Sequence, residues 1–188
     1  MNYGIYQNAR NASWQCLLDC GISELPIMPV RIALHYDIIC KLATNEWLKG
    51  SSGQIRTVKG KEYILINNEE SDQRQRFTIM HELGHYLLGH LGEVPLSRSE
   101  SECRPAEEQA ADHFAIGVLA PACVLWGLDL YTAEDIARVC GISMQAAQIR
   151  AERMKLLRQR GMFLSHPLER RVYEQFGEFV VRGVSWKA

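Results

Sequence analysis

RQRFTIMHELGHYLLGH, residues 74–90, decides the reading of this chain. Phe77, Met80, Gly84, Leu87 and Leu88 recur at helical spacing, so the stretch is a helix, and Asp72 followed by Gln75 resembles a capping box at its start. On a helix advancing about 100° per residue, His81 and His85 project two imidazoles from one face, at the separation that chelates zinc. Glu82 flanks that face. It can reach a water activated by the metal without ligating the metal, which is what a general base needs.

Two imidazoles leave a metal short of ligands, so a third must come from elsewhere. The extended pattern HExxHxxGxxH is excluded, because Leu88 and Leu91 stand where it requires Gly and His. The stretch from Glu107 to Asp112, EEQAAD, supplies a carboxylate from a second helix. Glu108 and Asp112 lie about 40° apart on a helical wheel, whereas Glu107 and Asp112 lie about 140° apart. Only the first pair shares a face. Glu108 is then the third ligand, and Asp112 can accept the free ring N–H of a zinc histidine and fix its tautomer. Ala110 and Ala111 allow close helix approach. Acidic residues in a first turn also suit the helix macrodipole with no metal present; it is the joint pattern that points to a metal site. His90, about 900° of turn beyond His81, points to the opposite face and reads as a surface or supporting residue. His113 diverges by about 140° from Glu108, and His35 and His166 sit in unrelated segments, so all three read as packed or solvated. A transition state at zinc needs an oxyanion donor, for which Tyr86, His113 and others stay open.

The whole chain can support such a site. Its 188 residues, 47% hydrophobic and 23% charged, can build a core without disulfides or a structural metal. Disorder is excluded as the main state. A net charge of -1, evenly spread, advertises neither nucleic acid nor a membrane. The longest uncharged apolar run, about His113 to Leu128, is too short and too interrupted to span a bilayer, and no secretory signal is visible at the N-terminus. A cytoplasmic address follows, in which the six cysteines act as buried small apolar residues.

Organisation follows from the same rules. Residues 6–20 read as a helix stopped by Gly21, 30–36 as a short helix after Pro29, and 38–42 as a buried strand. QIRTV and EYILIN flank Lys59-Gly60-Lys61 as a β-hairpin whose second arm is the more buried. EVPLSRSES, residues 93–101, reads as a mobile surface segment. A second helix starts near Pro105 and runs to Pro121. Thr132 with Asp135 caps a third, ended by Gly141, and Ser143 starts another reaching about Leu157. A last amphipathic segment covers 168–176. Strands followed by helices make the class α+β: a zincin-like domain over 1–128, its short sheet packed on the HExxH helix, then a helical, helix-turn-helix-like subdomain over 129–188.

The chain resembles the ImmA/IrrE family of zinc metallopeptidases. The resemblance rests on residues 74–90 with the preceding ILIN strand, and on EQAADHFAIGVLAP at 108–121, which is similar to the family's ExxANxFAxxLLMP segment. It implies His81, His85 and Glu108 as zinc ligands and Glu82 as catalytic base. Asp112 departs from the family's usual Asn, and either can accept the histidine proton. The resemblance further implies a protein substrate, a separately encoded helix-turn-helix repressor of a phage, mobile element or stress operon. Manganese, cobalt or iron also suit an N2O donor set. A competing expectation is DNA binding or repressor sequestration: residues 133–157 fit a helix-turn-helix, and Arg150, Arg153 and neighbouring basic residues are placed to meet phosphates.

Overall fold

The computed structural model describes residues 3–90 and 105–185. The chain runs through α1 (Tyr3–Asp19), α2 (Pro29–His35), β1 (Ile39–Ala43), β2 (Gly53–Val58), β3 (Lys61–Asn67), α3 (Asp72–Leu87), α4 (Ala106–Leu119), α5 (Ala122–Gly127), α6 (Ala133–Cys140), α7 (Met144–Gln159), α8 (Pro167–Gln175) and α9 (Gly177–Ser185). A small sheet and a set of helices make this an α+β fold, as expected. The segment 93–101 and Cys103 lie outside the described residues. The other five cysteines are free; Cys16, Cys123 and Cys140 are buried, Cys20 and Cys40 half-buried.

Three strands form the sheet in the order β1-β3-β2. β2 and β3 pair antiparallel with Val58 opposite Lys61, so the loop is the two residues Lys59 and Gly60, both at positive φ, as a tight hairpin of this hand demands. β3 is central, parallel to β1 on its other side, which is why Ile64 and Ile66 are buried. β2 is left as an edge among the described residues, and it runs beside α3.

The start of α3 differs from expectation by one residue. Ser71 caps it, its hydroxyl accepting from the Arg74 N–H, while Asp72 is already helical. Gln75 turns away and donates to the carbonyls of Asn67 and Glu70, fastening the helix to the end of β3. Met80 and Leu83 are fully buried, which leaves the histidine-bearing face toward α4 and solvent.

α4 is the central helix, packed against both α1 and α3. Small residues make this possible. A Cβ on Gly84 would meet Phe114 at 3.0 Å and the Ala111 backbone at 3.3 Å, and one on Gly117 would meet the Ser13 hydroxyl oxygen at 2.5 Å. By length and composition Ala106–Gly127 could cross a membrane, but 67% of that window is buried inside the protein, and the helix breaks at Ala120 and Pro121.

Beyond α5, which the sequence reading did not anticipate, α6 and α7 meet at Gly141, whose φ of 63° is left-handed. Thr132 and Ser143 cap these two helices as expected. Arg76 of α3 donates to the carbonyls of Cys140 and Gly141, and Arg150 of α7 donates to those of Ile116 and Ala120. Each cation sits at the C-terminal end of a helix, where the macrodipole favours positive charge.

The contact at Gly84 sets the α3–α4 separation. Gly84→Val should destabilise the protein by about 2 kcal/mol through overpacking, more than its small propensity gain over glycine offsets, and should weaken metal binding in parallel. Urea unfolding and metal titration check this; a variant with unchanged midpoint and metal affinity would count against it.

Candidate metal centre

His81 and His85 leave α3 one turn apart, and Glu108 faces them from the first turn of α4. The His81 Nε2 lies 3.5 Å from one Glu108 oxygen, the His85 Nε2 lies 3.3 Å from the other, and the two Nε2 atoms are 3.1 Å apart. One donor atom from each falls within a common sphere of reach. Zinc bonds of roughly 2.0–2.1 Å at tetrahedral angles place neighbouring donors about 3.3 Å apart, so the triad fits a tetrahedral divalent ion with one corner left for water or substrate.

The outward nitrogens support the same conclusion. His81 Nδ1 is 2.9 Å from Asp112 Oδ1, so its N–H donates to that carboxylate and its Nε2 presents a lone pair inward. His85 Nδ1 is 3.2 Å from His90 Nδ1. Two lone pairs and a carboxylate then converge on one point, an arrangement that only a cation or a proton satisfies. The charges agree with this. Burial lowers the His81 pKa, but hydrogen bonds to Asp112 and Glu108 outweigh it and push the imidazole up to about 9. The Glu108 carboxyl is held far below the usual range by its hydrogen bonds to His81 and His85.

Glu82 stands apart from the donor triad. Burial raises its pKa, against the pull of both histidines and of the Ile55 N–H, which donates to Oε2 at 3.0 Å. A buried carboxylate with a raised pKa is suited to take up and return a proton. Its partner is the backbone of the β2 edge strand.

The structure thus brings together His81, His85, Glu108 and Asp112, with Glu82 beside them on α3. His90 departs from the helical-wheel reading. Gly89 adopts a φ of 74° just past the end of α3, and the chain folds back so that His90 meets His85 instead of facing away. The glycine was the missed signal, because a helix that stops at Leu88 carries no wheel to residue 90. His113 lies against Tyr6 at 4.9 Å, His166 stacks on Trp14 and caps α8, and His35 is exposed beside Tyr36, so these three are packed or solvated as expected. Tyr86 packs partly buried against the core.

Two outcomes follow from this geometry. His90→Ala should weaken metal binding by roughly 10–100-fold, as loss of a partner behind a ligand does, and His90→Asn should restore much of it because its amide oxygen can accept the His85 N–H. Competition against a chromophoric chelator measures both, and equal affinity in wild type and His90→Ala would refute the role. Because His81 stays protonated up to about 9, and a bound metal requires it neutral, zinc loading at about pH 7.5 should release about one proton per chain. Calorimetry in buffers of different ionisation enthalpy reads this, and a buffer-independent heat would contradict it.

Residues 39–152 match the family model described as Peptidase M78, IrrE N-terminal-like domain. No curated protein matches the chain. The matched stretch runs from β1 into α7 and so includes every residue of the candidate centre.

Proposed function

This chain belongs to the M78 peptidase family, IrrE N-terminal-like domain, and from that premise we propose that it is a zinc-dependent endopeptidase of the cytoplasm whose substrate is a separately encoded helix-turn-helix repressor. The observation that carries the reading is the convergence of the His81, His85 and Glu108 donor atoms beside a buried acid, Glu82. In this reading residues 1–128 form the catalytic domain and 129–188 a helical subdomain.

A zinc ion held there supplies Lewis acidity, polarising a peptide carbonyl and lowering the pKa of a water to about 7. The chain's residues do the rest. His81, His85 and Glu108 hold the ion, and Asp112 and His90 orient the two imidazoles from behind. Glu82 takes the proton of the attacking water and delivers it to the departing amine nitrogen, while the Ile55 N–H keeps its carboxylate aimed. β2 offers an open edge next to this base among the described residues, a surface to which an extended peptide can add as a further strand. That favours a polypeptide substrate over a small molecule.

DNA binding through α7 is the competing reading. Of the residues it leans on, Arg150 is occupied within the protein by the Ile116 and Ala120 carbonyls, and Arg153 is turned inward against Tyr6, its guanidinium donating to the Tyr6 hydroxyl at 2.8 Å, where a duplex does not reach it. We therefore favour cleavage.

Glu82→Gln should keep the fold and bind zinc within about threefold of wild type, yet lower cleavage of the repressor encoded beside it by about a thousandfold or more, the loss expected of a missing proton shuttle. Gel analysis of purified substrate with each protein reads the cut. Retained cleavage would overturn the assignment of the base. Loss of repressor function without any cut, in wild type and variant alike, would point to sequestration.

A further inference from the structure

α1, α4 and α7 line an open cavity of about 430 Å³ that shares no lining residue with the candidate metal centre. Three guanidiniums line it, Arg10, Arg153 and Arg160, and among the described residues no carboxylate does. The lining residues are otherwise aromatic or apolar, with Leu156 and Leu157 forming one wall.

Two of these cations are held in place. Arg153 donates to the Tyr6 hydroxyl at 2.8 Å with its guanidinium over the Tyr6 ring, and Arg10 lies over Trp14 at 4.8 Å while donating to the Asn11 side chain. None of these partners carries a charge. The Nε atoms of Arg10 and Arg153 are buried and without a hydrogen-bond partner. Glu169 senses Arg10 but its carboxylate accepts from the Ser165 N–H, and Asp112, next to the cavity's His113, is engaged by His81. Like charges gathered in a concave surface create a potential that favours an anion.

We propose that this cavity binds a small organic phosphate, with the phosphate on Arg10, Arg153 and Arg160 and an apolar or planar body against Leu156, Leu157 and Tyr6. Guanidinium forks match phosphate oxygens two at a time, and three of them exceed what a single carboxylate can use. The volume suits a ligand of mononucleotide size. A duplex would meet the ends of side chains on a convex surface, whereas here two of the three cations are turned inward and pinned. The site lies outside the proposed peptidase chemistry, so it stands or falls separately from that reading.

The test is calorimetric titration of the full zinc-loaded chain with AMP, with inorganic phosphate and with adenosine. AMP should bind saturably, phosphate more weakly, and adenosine at least tenfold more weakly than AMP. Arg160→Gln, an exposed position, should reduce AMP affinity at least tenfold at an unchanged melting temperature, and Arg10→Gln should do the same, guarding against a fold defect in either. No saturable heat with AMP or phosphate up to about 10 mM, a range that spans even weak sites, would overturn the proposal. So would AMP binding that survives both substitutions, which would place the nucleotide at the metal centre, or a short duplex DNA that binds more tightly than AMP and is lost in Arg160→Gln.

Discussion

The close approach of α3 and α4 is the constraint on which the rest depends. A metal site built from two helices needs their axes near enough for a short glutamate to reach a histidine pair, and that spacing is controlled by what lies between them. Here it is a glycine hydrogen, Gly84, against the Ala111 backbone and the Phe114 ring. Packing at native density tolerates little variation, so the interface acts as a gauge for the donor triad. The same helix α4 closes against α1 through Gly117 and Ser13, which makes it the axis of the molecule.

Charge in the centre is balanced in layers. The inner layer is two imidazoles and one carboxylate, and behind it Asp112 supplies a negative charge to His81 whereas His90 offers His85 a neutral ring. The two imidazoles are therefore backed by different partners although the motif treats them alike. Glu82 is held outside this layer by the Ile55 N–H, so its carboxylate is fixed to the sheet edge rather than to the donor triad.

The C-terminal helices are fastened to this core by two arginines acting as struts. Arg76 reaches the end of α6 and Arg150 reaches the end of α4, each donating to carbonyls at a helix C-terminus. The basic residues of α6 and α7 become, once folded, partly structural, with Arg158 laid over Tyr131 and Arg138 paired to Asp135. Sequence charge counted along a helix says nothing about which cations remain free to meet a partner.

The periodicity of residues 74–90, the turn glycine at Gly60, the caps at Thr132 and Ser143, and the shared face of Glu108 and Asp112 could all be read from the chain, because each depends on residues within a turn or two of one another. The α+β class followed from their order. The cap at Ser71 and the stop at Gly89 were within reach of the same rules and were misplaced, so His90 was assigned to the wrong side of a helix that had already ended. Other features had no local signal. The Ile55 N–H beneath Glu82, the Arg150 strut and the cavity between α1, α4 and α7 join residues 27 to 147 positions apart, and separations of that order are set by how helices pack, not by spacing along the chain. Sequence determined which groups could bind a metal and move a proton; tertiary packing decided where they meet, because only the fit of Gly84 against α4 brings the acid to the histidines.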